Sequence, residues 1–144
     1  MDQPCFICER VQAAREGKNP FFIHEFPHSF LVLGDHQYFK GYSVLLFKDH
    51  VRELHDLSEK LQKELFGELM QAGKAVFEAF KPWKMNYSCY GNQIPHIHWH
   101  IFPRYESDPH HLNNPWLNSD KFDEHPTKEP EKAERIAMVR AHLK

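Results

Sequence analysis

The sequence predicts an α+β protein in which a five-stranded antiparallel sheet is crossed by one long helix, followed by a C-terminal extension with a short helix. Two observations lead to this prediction. Short runs rich in β-branched and aromatic residues alternate with turn residues along much of the chain, whereas one central segment repeats its apolar residues with helical spacing. The length of 144 residues is typical of a single domain.

The N-terminal part predicts a short helix and three strands. Residues 9–18 are polar with a few aliphatic positions and end in turn residues, which is typical of a short helix. The strands are expected at the β-rich runs 21–26, 29–33 and 42–47. Pro27-His28 separates the first two runs, so we expect a hairpin that the third run extends into an antiparallel meander.

The long helix is predicted to end before Pro82. Asp56 to Glu59 has the acid-x-x-Glu form of a capping box, and Pro82 stops the helix because proline lacks the amide that the helix needs. The apolar residues between these signals recur every three or four positions: Leu61, Leu65, Leu69, Ala72, Val76 and Phe80. Two further strands, 85–90 and 96–103, and a final helix, 131–143, complete the prediction.

The composition restricts the partners and the compartment. Lys+Arg 18 against Asp+Glu 20 gives a formal charge of -2, so we expect neither nucleic acid nor an anionic membrane as a partner. The first residues contain no basic region followed by an apolar run, and we expect a cytoplasmic protein. Three cysteines, two of them close together, argue against a disulfide framework.

The histidines carry the strongest functional signal. The chain has 12 of them, and His96, His98 and His100 alternate along one predicted strand, so they are expected to share one face. A surface strand without a function would carry Thr, Lys or Glu at such positions. Imidazole can be a nucleophile, a proton donor or a metal ligand, so two chemistries remain open: covalent attack by a histidine and a metal-dependent hydrolase.

The residues around these histidines match a known signature. The segment reads His96-Ile97-His98-Trp99-His100-Ile101-Phe102, followed by Pro103-Arg104. This pattern resembles the H-x-H-x-H-x-x signature of the histidine triad (HIT) family, in which x is apolar. The sequence of residues 95–100 is similar to that of a bacterial branch of HIT hydrolases.

The resemblance covers much of the chain. It begins at the C-x-x-C formed by Cys5 and Cys8, continues through the strands and the long helix, and ends near Tyr105. We therefore expect a HIT domain at residues 1–105 and an extension at residues 106–144 that packs on the domain or on a dimer partner. The resemblance also implies a homodimer whose sheets are continuous across the two-fold axis.

The resemblance implies nucleotidyl transfer to water. His98 would attack the α-phosphorus of a purine nucleoside phosphoramidate or a dinucleoside polyphosphate, and water would resolve the nucleotidyl-histidine intermediate. His100 would donate to the phosphate or the leaving group, and His96 would complete the catalytic set. No cofactor is required for this chemistry. Two alternatives are a nucleotide-binding regulatory module with little turnover and a metal-dependent hydrolase that uses the histidines as ligands.

The resemblance also implies a set of nucleotide-binding residues. The turn before the triad corresponds to the phosphate-binding loop of the family and contains Gly91, Asn92 and Gln93. Asn86 is the candidate for the family's asparagine on the preceding strand, and Asp35 is the candidate for its ribose-binding residue. Trp116, in the extension, is expected to pack over the site or a partner subunit.

The C-x-x-C near the N-terminus has three interpretations: two zinc ligands, a redox pair, or two small apolar residues. A redox role is disfavoured because no βαβ pattern surrounds the pair. Some HIT proteins bind a structural zinc at this place, and the resemblance then implies the ligand set Cys5, Cys8, His50 and His96. Two thiolates and two imidazoles are a tetrahedral set that suits zinc.

Overall fold

The computed structural model describes residues 4–144 and contains a five-stranded antiparallel sheet with the strand order β1-β2-β3-β5-β4. The strands are β1 (Phe22–Glu25), β2 (Ser29–Leu33), β3 (Ser43–Phe47), β4 (Lys84–Ser88) and β5 (His98–Arg104). The helices are α1 (Phe6–Arg15), α2 (Glu59–Phe80) and α3 (Glu131–Arg140), with 3₁₀ helices at Leu54–Asp56 and Pro115–Glu124. The predicted α+β fold is confirmed. No helix within these residues is both long and apolar enough to cross a membrane.

One surface of the sheet forms the main core with α2 and α3. The sheet residues of this core are Ile23, Leu31, Leu33, Leu45, Met85 and Ile101. Helix α2 adds Leu69, Ala72, Val76 and Phe80, which share one helical face. Ile136 and Val139 of α3 are buried in the same cluster, so the extension and the sheet share a core. The division of the chain at residue 105 stays a prediction.

The opposite surface of the sheet is covered in part by α1. The contacts involve Ile7, Val11 and Ala14 of the helix and Phe30, Val32 and Leu46 of the sheet. His98 and His100 are paired with Leu46 and Val44 of β3, and residues directly opposite in an antiparallel pair share a face. Both histidines therefore lie on the surface that faces away from α2.

The start of α2 differs from the prediction. The capping box at Asp56 to Glu59 is wrong, because Asp56 belongs to the short 3₁₀ helix and Ser58 is the N-cap, its hydroxyl accepting from the Leu61 backbone N–H at 3.2 Å. Asp and Ser are both favoured at N-caps, so the sequence alone does not choose between them. The extended backbone of the buried Leu57 decides the choice.

Helix α1 also begins earlier than residue 9. It starts at Phe6 because the Sγ of Cys5 accepts from the Cys8 backbone N–H at 3.3 Å and caps the helix. It ends at Arg15, ahead of Gly17, whose φ of 70° is the left-handed conformation that glycine adopts without strain. This cap places the C-x-x-C at the helix N-terminus and directs both sulfur atoms to one side.

The last strand begins at His98 and not at residue 96. His96 lies in the preceding turn, where its backbone N–H donates to the Ile94 carbonyl at 2.8 Å and that of Ile97 donates to Val51 at 3.0 Å. The prediction that the three histidines share one strand face is therefore wrong for His96. Because His96 lies in this turn, its side chain is directed toward Cys5 and Cys8 and away from the strand face that carries His98 and His100.

The buried guanidinium of Arg104 holds the first part of the extension. It donates to Asp108 Oδ2 (3.1 Å), Asn86 Oδ1 (2.9 Å) and the backbone carbonyls of Asn113 (2.7 Å) and His110 (3.3 Å). A buried charge is stable only when it is paired and hydrogen-bonded in this way. These bonds fix the loop that leads into the 3₁₀ helix Pro115–Glu124 and so fix the place of Trp116.

Candidate functional site

A cleft of about 520 Å³ opens beside β5 on the surface that carries the two strand histidines. Its lining residues are Tyr90, Gly91, Asn92, Gln93, Ile94, His98, His100, Asn114 and Trp116. The structure thus brings together two of the three triad histidines and the whole of the predicted phosphate-binding turn. The cleft volume lies within the usual range of small-molecule sites.

His98 is oriented by a backbone carbonyl. Its side chain is buried, and its Nδ1 lies 2.6 Å from the carbonyl oxygen of His96. A carbonyl oxygen can only accept, so Nδ1 carries a proton, and in the tautomer with a single proton the lone pair is on Nε2. The hydrogen bond therefore leaves Nε2 as the His98 ring nitrogen that is available in the cleft.

His100 lies on the same surface and is held by aromatic rings. Its Nδ1 is 2.6 Å from the hydroxyl of Tyr42, and its ring is perpendicular to that of Trp116 with centroids 4.9 Å apart. Burial, and then the neighbouring His98 and His36, lower the pKa of His100 to about 4. The side chain is therefore neutral at pH 7.

His96 faces away from the cleft. Its Nε2 is 2.7 Å from the Phe47 carbonyl and must donate to it, which leaves the lone pair on Nδ1. This Nδ1 lies 3.5 Å from Cys5 Sγ, 3.4 Å from Cys8 Sγ and 3.2 Å from His50 Nδ1. Because of the hydrogen bond to Phe47, the nitrogen of His96 that carries the lone pair lies next to two thiols and a second imidazole.

These four residues form one compact cluster. Their ligand atoms all lie within 4.8 Å of one another, and Cys8 Sγ is 3.3 Å from His50 Nδ1. Burial, and then the Cys5 thiol, raise the pKa of Cys8 to about 11, so a metal ion must displace this proton when it binds. Two sulfur and two nitrogen donors at one point, with one imidazole fixed in the ligating tautomer, fit a tetrahedral zinc ion.

One residue connects the cluster to the cleft. His96 offers its Nδ1 to the cluster and its backbone carbonyl to Nδ1–H of His98. The orientation of the His98 imidazole therefore depends on the turn that contains His96. No other hydrogen bond involves a His98 side-chain nitrogen within residues 4–144.

Two residues that the sequence assigns to nucleotide binding lie outside the cleft lining. Asp35 is exposed, and its carboxylate lies 3.5 Å from Nη2 of Arg10. Asn86 uses its Oδ1 to accept from the buried Arg104. Their roles in nucleotide binding stay predictions.

The sequence reasoning missed several residues of the site. Tyr42 carries no signal of its own, because an aromatic residue before a strand is common. Tyr90, Ile94 and Asn114 also line the cleft. Trp116, which was expected to cover the site or a partner, does line the cleft, where its Nε1 donates to Ser88 Oγ at 3.3 Å. The Asn-Pro pair before it could have suggested its place, because Asn114 Oδ1 caps the 3₁₀ helix by accepting from the Trp116 N–H.

Solved structures of other proteins share this fold. A histidine triad protein from Bradyrhizobium japonicum superposes with a TM-score of 0.75 at 22% identity, covering 85% of this chain and 90% of that one. A Zn-bound histidine triad family protein from Mycobacterium smegmatis gives a TM-score of 0.68 at 20% identity, covering 96% of this chain and 92% of that one. At these identities the likeness establishes the fold.

Sequence comparison identifies the family. Protein hit of Bacillus subtilis (strain 168) is 26% identical over 88 residues, which are 58% of this chain and 61% of that protein, so the match spans less than two thirds of this relative. The family model described as the HIT domain matches residues 16–107, which is more than half of the chain and includes the cleft histidines. The chain therefore belongs to the HIT family.

Proposed function

We propose that this protein is a nucleotidyl hydrolase or transferase in which His98 attacks the α-phosphorus of a purine nucleoside phosphoramidate or dinucleoside polyphosphate. HIT proteins are in general nucleotide-binding hydrolases and transferases. The observation that carries the proposal is the hydrogen bond from His98 Nδ1–H to the His96 carbonyl at 2.6 Å, which leaves Nε2 as the nucleophile in the cleft. Nucleophilic catalysis needs a side chain prepared in this way.

The reaction proceeds in two displacements. In the first, the Nε2 lone pair of His98 forms a P–N bond while the bond from phosphorus to the leaving group breaks, and an amine leaving group takes up a proton from solvent. The modified imidazole is cationic, and the His96 carbonyl stabilises it by accepting from Nδ1–H. In the second, water attacks phosphorus, the P–N bond breaks, the water proton passes to solvent, and the nucleoside monophosphate leaves with His98 restored.

Phosphate binding is assigned to the turn before the triad. Gly91 has a φ of 73°, a conformation that glycine adopts without strain, and this bend places Asn92 and Gln93 in the cleft wall. Backbone amides and side-chain amides are neutral donors, so the turn binds phosphate without requiring a basic surface. Asp35 and Asn86 are kept as candidates for the ribose, and the cytoplasmic location also stays a prediction.

The Cys5, Cys8, His50 and His96 cluster is assigned a structural zinc. Four protein ligands leave no open position for a substrate or an activated water molecule, so the metal would tie α1 to the turn that holds His98. The zinc would supply folding energy and would fix the His96 carbonyl. The chemistry itself requires no cofactor in this proposal.

The first test is turnover of adenosine 5′-phosphoramidate and diadenosine polyphosphates, followed by chromatography of the products. Nucleoside monophosphate is the expected product, and its rate should not change when a chelator that leaves the protein folded is present. Abolition of turnover by that chelator, with the fold intact, would favour a metal-dependent hydrolase. Tight binding of AMP with no turnover on any substrate would favour a regulatory module.

A homodimer is proposed from an exposed apolar stripe beside the free edge of β4. Phe66, Met70 and Phe77 recur on one face of α2 with exposed fractions of 58%, 39% and 43%, and Tyr87 of β4 is 40% exposed. Such a patch is unusual on a monomer.

We expect dimers of the wild-type protein in analytical ultracentrifugation and a monomer for Phe66→Lys. Met138→Lys, an exposed apolar position on α3, should stay dimeric, and a monomeric wild-type protein at micromolar concentration would contradict the proposal.

Trp116 is expected to grip the substrate from the extension side of the cleft. Because aromatic stacking on a base is worth about 1–3 kcal/mol, Trp116→Ala should raise KM by about 10-fold or more. Trp83→Ala is the matched control, since Trp83 is half exposed and lies outside the cleft against His111. An unchanged KM for Trp116→Ala would remove Trp116 from the binding site.

A further inference from the structure

Tyr42 lies behind the cleft and is held rigidly. Its side chain is buried, and its ring stacks between those of His36 and Phe102 with centroid distances of 4.5 Å and 4.4 Å. Gly34 packs against the same ring, and a Cβ at that position would collide with it. The ring therefore has no room to turn away, and the position of its hydroxyl is fixed by packing.

The hydroxyl of Tyr42 has one hydrogen-bond partner within residues 4–144, the Nδ1 of His100 at 2.6 Å. Either Tyr42 donates to an unprotonated Nδ1, or a protonated Nδ1 donates to the Tyr42 oxygen. In the second arrangement the phenolic hydrogen would be buried without an acceptor, which is unfavourable. In the first arrangement the phenolic hydrogen has an acceptor, so the O–H of Tyr42 donates to Nδ1.

We infer that Tyr42 is a positioning residue that holds His100 in the Nε2–H tautomer, so that His100 presents a hydrogen-bond donor to the phosphoryl group or the leaving group in the cleft. His100 lines the cleft, and with Nδ1 occupied by Tyr42 only Nε2 is available to a ligand. The functional consequence rests on the proposed nucleotidyl transfer, whereas the tautomer itself does not.

The two cleft histidines then have opposite hydrogen-bonding roles. His98 carries its proton on Nδ1 and offers a lone pair from Nε2, while His100 accepts at Nδ1 and offers a proton from Nε2. Their ring centroids are 5.1 Å apart, which is close enough for both to contact one phosphoryl group. In this arrangement neither role requires a charged imidazole.

The electrostatics of this pocket favour the neutral forms of Tyr42 and His100. Burial raises the pKa of Tyr42 well above its usual range, so the phenol keeps its proton. The ionisable groups that face His100 are His98, Tyr42 and, beyond the tyrosine ring, His36, and burial lowers the pKa of His36 as well. The donor role of His100 thus comes from its tautomer and not from a positive charge.

The test is the tautomer of His100 by ¹⁵N–¹H correlation NMR of the metal-loaded protein without substrate, together with the kinetics of Tyr42→Phe. In the wild type we expect a protonated Nε2 and an unprotonated Nδ1. Removing the hydrogen-bond partner of a buried acceptor typically weakens the interaction it supports by about 10–100-fold. We therefore expect Tyr42→Phe to mix the tautomers and to lower kcat by about 10–100-fold while KM changes by less than about threefold.

Tyr105→Phe is the matched control, because the Tyr105 hydroxyl donates to the Lys40 carbonyl at 2.6 Å and lies outside the cleft lining. Its His100 spectrum and kcat should equal those of the wild type. A wild-type His100 protonated on Nδ1 would overturn the inference, as would Tyr42→Phe with an unchanged tautomer. Because the spectrum needs no turnover and is read from the wild type, it decides this inference even if the proposed reaction fails or the variant does not fold.

Discussion

Replacement of His98 by alanine is expected to lower kcat by about 10⁴-fold or more, since removal of a covalent nucleophile leaves only the contributions of binding and orientation. The measurement is product formation from adenosine 5′-phosphoramidate under saturating substrate. AMP should still bind within about threefold of the wild-type affinity, because the turn of Gly91, Asn92 and Gln93 and the ring of Trp116 are unchanged.

The matched control for this variant is His24→Ala, a partly buried histidine on β1 that lies outside the cleft lining. It should keep full turnover and so separate the role of His98 from the general cost of removing a histidine from the sheet. Turnover by His98→Ala within about tenfold of the wild type would refute the assignment of the nucleophile.

The Cys5→Ser/Cys8→Ser double variant is expected to lose its zinc and much of its stability. Protein purified without a histidine tag should contain about one zinc ion per chain, and the variant close to none. A shift of 1 kcal/mol moves the Tm of a domain this size by about 2–4 °C, and a structural zinc contributes several kcal/mol. We therefore expect the Tm to fall by about 10 °C or more.

Cys89→Ser provides the control, because Cys89 is also a free, partly buried cysteine and lies outside the cluster. It should keep its zinc and its Tm within about 2 °C. If the double variant retained the zinc content of the wild type, Cys5 and Cys8 would not be ligands, and the link from α1 to the turn at His96 would have to be structural in another way.

Local patterns account for most of the predictable fold. The strand at Ser29–Leu33 and the end of α2 at Phe80 coincide with the predictions, because side-chain periodicity and the proline at position 82 act within a few residues. Helix boundaries that depend on tertiary packing or on an unusual cap are harder to predict from the sequence. The start of α2 depends on the burial of Leu57, and the start of α1 depends on a cysteine acting as a cap.

The same distinction between local patterns and distant contacts applies to the candidate site. The motif places His98, His100 and the turn of Gly91 in one cleft, because all of them are close in sequence to β5. His96 departs from that pattern, since its turn directs the ring to Cys5 and Cys8, which are remote in the chain. Tyr42 reaches His100 only through the pairing of β3 with β5, which no local pattern indicates.

The most direct test of the central claim is rapid quenching of the reaction with adenosine 5′-phosphoramidate, followed by mass spectrometry of the intact protein and of its peptides. Nucleophilic attack by His98 predicts a transient protein that carries one AMP group, with the modification mapped to Nε2 of His98 and absent from His98→Ala. An adduct on His96 or His100, or rapid turnover with no protein adduct at any quench time, would contradict the account.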